Sequence, residues 1–176
     1  VIRPADANET AEAWRVAGAH RGGPVALALT RQKLPFIERE GRGAASELAR
    51  GAYVLADSEG GSPQVVLMAS GSEVSLVLDA QQTLAAGGIR ARVVSVPSHE
   101  LFAKQPPEYR ASVLPPGVRR VAIEAAHPMS WRGLVGDDGM TIGIEQFGHS
   151  APYQRIYEEY GITAEAVVDA ARRLVT

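Results

Sequence analysis

The chain contains no cysteine, which excludes a disulfide framework, a thiolate metal site and a cysteine nucleophile. It has no apolar run near the ~20 residues needed to span a bilayer. Neither charge sign dominates: 18 Lys and Arg stand against 20 Asp and Glu, a net charge of −2, so no basic face for nucleic acid is expected. Aromatic residues make up 6%. The opening "VIRPADANET" has neither an initiator methionine nor a secretion signal, and it reads as the middle of a folded domain. What is present, 45% hydrophobic and 22% charged residues in a chain of 176, is the profile of a soluble globular protein of one or two domains. A cytoplasmic location is the expectation.

Along the chain, residues 1–3 read as the end of a strand. Asp6 and Glu9 form a helix-start pair, followed by a stripe of Ala11, Trp14 and Ala17, with Ala13 a further candidate, that "HRGGP" terminates. The run Val25 to Leu29 reads as a parallel strand buried on both faces. Residues 36–49 read as loop with a short helical turn, and "GAYVLAD" as one further strand. The turn-rich "SEGGSP" at 58–63 is the strongest linker signal, so domains are expected at 1–58 and 64–176, joined by 59–63. Beyond it come "QVVLMASG", "IRARVVSVP", "RRVAIEAA" and "MTIGIEQFG" as strands. The intervening segments read as helices, with Pro106 and Pro107 breaking one of them, and two helices, Tyr153–Tyr160 and Ala164–Val175, close the chain. The fold class is α/β: a three-layer, mainly parallel open sheet, preceded by a partial α/β segment.

Ligands in such sheets sit beyond the carboxyl ends of the strands. Arg31 follows "VALALT" there, and a guanidinium can make two parallel hydrogen bonds to a phosphate or carboxylate; pairing with a nearby carboxylate, or capping a helix end, is the competing reading. Arg3 and Lys33 are weaker candidates, read as exposed. Ser70–Glu73 leaves a strand and enters a helix, where amides could take an anion, or Ser72 could simply cap the helix. His20, His99, His127 and His149 show no metal-ligand spacing. Ser98-His99-Glu100 lacks the elbow of a serine nucleophile. Glu124 and Glu145 end apolar strands, either for proton work or, the preferred reading, paired with arginines at a domain interface. Phe147, Tyr153, Tyr157 and Tyr160 are read as packing the last helices or a subunit contact.

Several segments together resemble the carboxyl-terminal part of transketolases: "RPADANETAEAW", "ALTRQKLP", "GAYVLAD", "ASGSEVSL", "RVVSVPSHELFAKQPPEYRASVLP", and "FGHSAP" followed by "EYGITAEAVV". The resemblance covers essentially the whole chain. It implies that residues 1–58 end a thiamine-diphosphate pyrimidine-binding domain and that 64–176 are the third, carboxyl-terminal domain. Transketolases are homodimers that move a two-carbon ketol unit from a ketose phosphate to an aldose phosphate, using thiamine diphosphate and Mg2+ (or Ca2+). In "LTRQ", Arg31 matches the family arginine that contacts the substrate phosphate. No catalytic, cofactor or metal residue is carried onto this chain, so alone it is expected to be inactive and to bind no cofactor. Its expected partners are sugar phosphates, a second subunit and the missing amino-terminal part of the same protein, with no nucleic acid and no membrane. The alternative is a free-standing, non-catalytic interaction or regulatory domain, or an anion-binding protein using Ser70–Glu73.

Overall fold

The computed structural model describes residues 1–175. Its centre is β2 (Val65–Ala69), whose five residues are all buried. A strand without polar alternation suits a parallel sheet covered on both faces. β3 (Ala91–Ser95) and β4 (Arg119–Ile123) flank it in parallel, and β5 (Met140–Ile142) adds parallel to β4. β1 (Tyr53–Ala56) closes the other edge antiparallel to β3, giving the order β1-β3-β2-β4-β5.

Alternating residues feed two cores. Val65, Leu67, Val93, Val121 and Ile123 pack on one face. They meet Val77 and Leu84 of α2 (Val74–Ala86) and Val167, Val168 and Ala171 of α7 (Ala164–Val175). On the opposite face Val66, Met68, Val94 and Ala122 meet Phe102 of α3 (His99–Ala103), Val113 of α4 (Pro107–Val113), Trp131, and Val135 of α5 (Arg132–Val135). The result is the three-layer α/β arrangement expected, with α6 (Tyr153–Tyr160) preceding α7. No helix among the described residues is long and apolar enough to cross a membrane.

The first fifty residues dock on this body. α1 (Ala7–Ala19) starts at Asp6, whose carboxylate accepts from the Glu9 amide. Glu9 reaches back to the Ala5 amide at 2.8 Å, one position beyond the usual capping box. It is fully buried, and it also accepts from the Tyr53 hydroxyl of β1 at 2.6 Å and the Ser95 hydroxyl of β3 at 2.7 Å. Burial pushes the Glu9 carboxyl pKa up, while these donors pull it back. Glu9 thereby sets which side of α1 faces inward: Glu9 and Ala13 are buried, and Trp14, expected on the apolar stripe, is 62% exposed.

Two further expectations are corrected. Val25 to Leu29 is not a strand buried on both faces. It makes one parallel bridge, Ile2 with Leu27, and Ala26, Ala28 and Leu29 are exposed, because among the described residues only 1–3 pair with it. The expected division at residue 58 separates β1 from the sheet to which hydrogen bonds assign it. Residues 59–63 therefore join two strands of one sheet.

The turn into β1 tolerates only glycine. Gly51 follows the 3-10 helix Ala45–Arg50 with φ +86, and a Cβ there would overlap the Phe102 amide nitrogen and press on the Ser98 carbonyl. Left-handed strain alone costs about 1–3 kcal/mol. Gly51→Ala should therefore lower unfolding stability by at least about 2 kcal/mol, read as a lower urea midpoint. An unchanged midpoint would contradict this packing.

Candidate functional site

The carboxyl rim of the sheet gathers most of the polar candidates. β2 leads to β3 on one side while β4 lies on the other, so the point where strand order reverses lies at the ends of β2 and β4. Open α/β sheets usually bind ligands there. Here the place is filled by the protein itself. Glu124, directly after β4 and 5% exposed, accepts from Ser70 Oγ at 2.6 Å and Trp131 Nε1 at 3.0 Å. Arg3 Nε lies 2.9 Å from Oε1, the oxygen that Ser70 engages, in an ion pair too poorly aligned to count as a hydrogen bond. The backbone of Arg3 is also held, donating to the Pro97 carbonyl and accepting from the Gly71 amide. A carboxylate so fully occupied is a joint, not a proton carrier. The preferred reading of Glu124, paired with an arginine where two segments meet, describes what is seen. Arg3, expected to be exposed, is that arginine, and Glu145 is exposed without such a pair among the described residues.

The other rim features are also structural. Ser98 caps α3, accepting from the Leu101 amide, and donates to Glu100 at 3.1 Å. The neighbouring His99 lies edge-on to Trp131, ring centres 4.7 Å apart. At Ser70–Glu73 the positive end of the helix is met from within. Glu73, 1% exposed, accepts from the Tyr157 hydroxyl at 2.6 Å, Ser72 Oγ at 2.6 Å and the Ala125 amide at 3.1 Å. Ser72 thus serves Glu73 and makes no side-chain cap. An external anion would have to displace this buried carboxylate. Of the aromatic residues, Tyr157 ties α6 to this turn, and Tyr153 stacks edge-on against it with ring centres 5.6 Å apart. Tyr160 donates to the Phe147 carbonyl, while the Phe147 side chain is 94% exposed. No group of three or more His, Cys, Asp or Glu among the described residues could hold a metal.

Burial pushes the His99 pKa below its ordinary 6.5, against the pull of Glu124 and Glu100. A depressed histidine pKa contributes stability that is complete above the unfolded value and lost as pH falls through the folded one. Unfolding stability should therefore decline more between pH 7 and 5 in the wild type than in His99→Gln, by urea titration at both pH values. Equal declines would contradict it.

Arg31 stands apart. It is exposed, and no hydrogen bond or ion pair engages its guanidinium among the described residues. Its neighbours Thr30 and Gln32 line a small cleft with Arg3, Gly71, Ser72 and Tyr157, so the loop carrying Arg31 lies against the carboxyl rim. Neither a nearby carboxylate nor a helix end claims the side chain. Lys33 is exposed beside it. The buried glutamates Glu9 and Glu73 were not singled out from sequence as joints. The signal available for Glu9 was its place in the capping box, and none marked Glu73.

Comparison with known proteins agrees with this geometry. The family model described as the transketolase-like TK C-terminal domain matches residues 51–163, starting just before β1. The chain is 52% identical over 182 aligned residues to a transketolase of Mycobacterium leprae, covering 99% of this chain and 26% of that protein. A transketolase structure from Leishmania mexicana superimposes with a TM-score of 0.89 at 41% identity, over 99% of this chain and 25% of that one. A Pichia stipitis transketolase solved in complex with sedoheptulose-7-phosphate gives 0.88 at 36% identity, again over 99% and 25%. The chain thus spans about a quarter of the length of the relatives it matches. With its five-stranded sheet, its β1 edge and its matched residues 51–163, the chain belongs to the transketolase family, in the part that ends with the C-terminal domain.

Proposed function

We propose that this chain serves as the carboxyl-terminal part of a transketolase, which transfers a two-carbon ketol unit from a ketose phosphate to an aldose phosphate. The observation that carries the reading is 52% identity to a transketolase along 99% of the chain. Residues 1 to about 50 would close the pyrimidine-binding domain, and the five-stranded sheet would be the third domain. Arg31 would grip the substrate phosphate. Its free, exposed guanidinium supports that role, as does the phosphorylated ketose in the similar Pichia stipitis structure.

Thiamine diphosphate with Mg2+ (or Ca2+), the cofactor of this activity, supplies the covalent chemistry when bound, and the residues described here offer it no metal ligands or diphosphate cradle. What this chain contributes is orientation. Arg31 would fix the remote phosphate, while Glu124 and Glu9 lock the loop-bearing segment to the sheet. Active sites would form between two such subunits.

The test is an assay of the complete protein carrying these residues. Ketol transfer between sugar phosphates should require thiamine diphosphate and a divalent ion, and no transfer under those conditions would refute the proposal. Calorimetric titration of the 176-residue chain with thiamine diphosphate and magnesium should give no heat. Clear saturation would show that this segment holds cofactor after all.

A further inference from the structure

Two arginines, on the strands that flank β2, meet the same helix end in unlike circumstances. Arg92 on β3 donates to the Ser112 and Val113 carbonyls of α4 at 2.7 and 3.3 Å. Its charge is answered by Asp57, which accepts from Nε at 2.8 Å and Nη2 at 2.9 Å. Arg120 on β4 donates to the Leu114 carbonyl at 3.2 Å and to the Leu134 carbonyl of α5 at 2.6 Å. No carboxylate among the described residues pairs with it, and its buried Nε has no acceptor. Burial pushes the Arg120 pKa down with nothing opposing it. A half-buried cation left this way carries a desolvation cost that an anion would relieve.

A second cation shares the space. Arg110, on α4, is exposed and engages no partner among the described residues. Both line a groove of about 470 Å³ between α3, α4 and α5, within the ~300–1,000 Å³ typical of small-molecule sites. The walls include Phe102, Leu114, Pro116 and Leu134, and no Asp or Glu lines it. His99 is also in the lining, its pKa pushed down by burial.

We infer that this groove binds a small organic anion, its carboxylate or phosphate held by Arg110 and Arg120 and its apolar body lying on Phe102, Leu114, Pro116 and Leu134. The site is separate from Arg31 and does not depend on the ketol-transfer reading. Guanidinium forks suit either oxyanion, and the apolar wall selects against a bare inorganic ion.

The test is calorimetric titration of the intact protein with benzoate, phenyl phosphate and inorganic phosphate, repeated in Arg31→Ala to separate any binding at the substrate position. At least one aromatic anion should saturate one site per chain, with inorganic phosphate at least about tenfold weaker. Saturation by benzoate, by phenyl phosphate or by both tells which oxyanion the site prefers. A charge-assisted bond is worth roughly a 10- to 150-fold change in affinity. Arg110→Ala and Arg120→Met should each weaken binding by at least about tenfold, and Arg31→Ala should leave it unchanged. Arg110→Ala carries the test if Arg120→Met fails to fold, since Arg110 is exposed and its side chain holds nothing in place. Any of four results would overturn the inference: no saturation by either aromatic anion, equal affinity for inorganic phosphate, indifference to Arg110→Ala, or loss only with Arg31→Ala.

Discussion

Glu124→Ala is expected to destabilise the protein by about 3–5 kcal/mol, the range for removing one partner of a buried ion pair. The carboxylate accepts from Ser70 Oγ and Trp131 Nε1 and pairs ionically with the Arg3 guanidinium. Ser70 and Trp131 are buried, so the substitution leaves two donors without water or protein to accept from them. Arg3 retains partial solvent access, with 35% of its side chain exposed, which moderates the cost of its lost partner. Glu124→Gln keeps the shape and an acceptor for the indole, and should cost less than half as much. Urea unfolding of both variants checks the pair. A Glu124→Ala protein within 1 kcal/mol of wild type, on the order of ordinary surface substitutions, would mean the rim is held by something else.

The second large effect belongs to Arg31. One charge-assisted hydrogen bond contributes about 1.5–3 kcal/mol, so Arg31→Ala in the complete enzyme should lower kcat/KM for phosphorylated sugars roughly 10- to 150-fold. Unphosphorylated analogues should be little affected, because the lost contact is to the phosphate. A parallel loss on both classes would point to a structural role. Stability should not change, since the exposed side chain makes no hydrogen bond or ion pair among the described residues.

Much of the fold was legible because periodicity and turn chemistry act locally. Tyr153–Tyr160 and Ala164–Val175 are helices with the bounds read from sequence, and Pro106–Pro107 separates α3 from α4 as expected. Misreadings arose where a distant partner decides. Trp14 was placed on the stripe by apolar spacing, with Glu9 read only as a helix-start residue; Tyr53 and Ser95 make that carboxylate a core residue and turn its side of the helix inward. β1 was assigned to the first domain because the strongest linker follows it, whereas its pairing with β3 lies some forty residues away. Turn residues mark where a chain bends, not which sheet a strand joins. Glu73 gave no signal because its partner, Tyr157, is 84 positions distant. Arg31 was legible as a candidate because it follows the apolar run Val25 to Leu29, although that run makes only one bridge and the cleft beside Thr30 and Gln32 is what brings its loop to the rim.

The most direct measurement is a structure of the complete protein with a bound ketose phosphate. The account predicts the Arg31 guanidinium within about 2.7–3.1 Å of phosphate oxygens. A phosphate held by other residues, with Arg31 left in solvent, would contradict it.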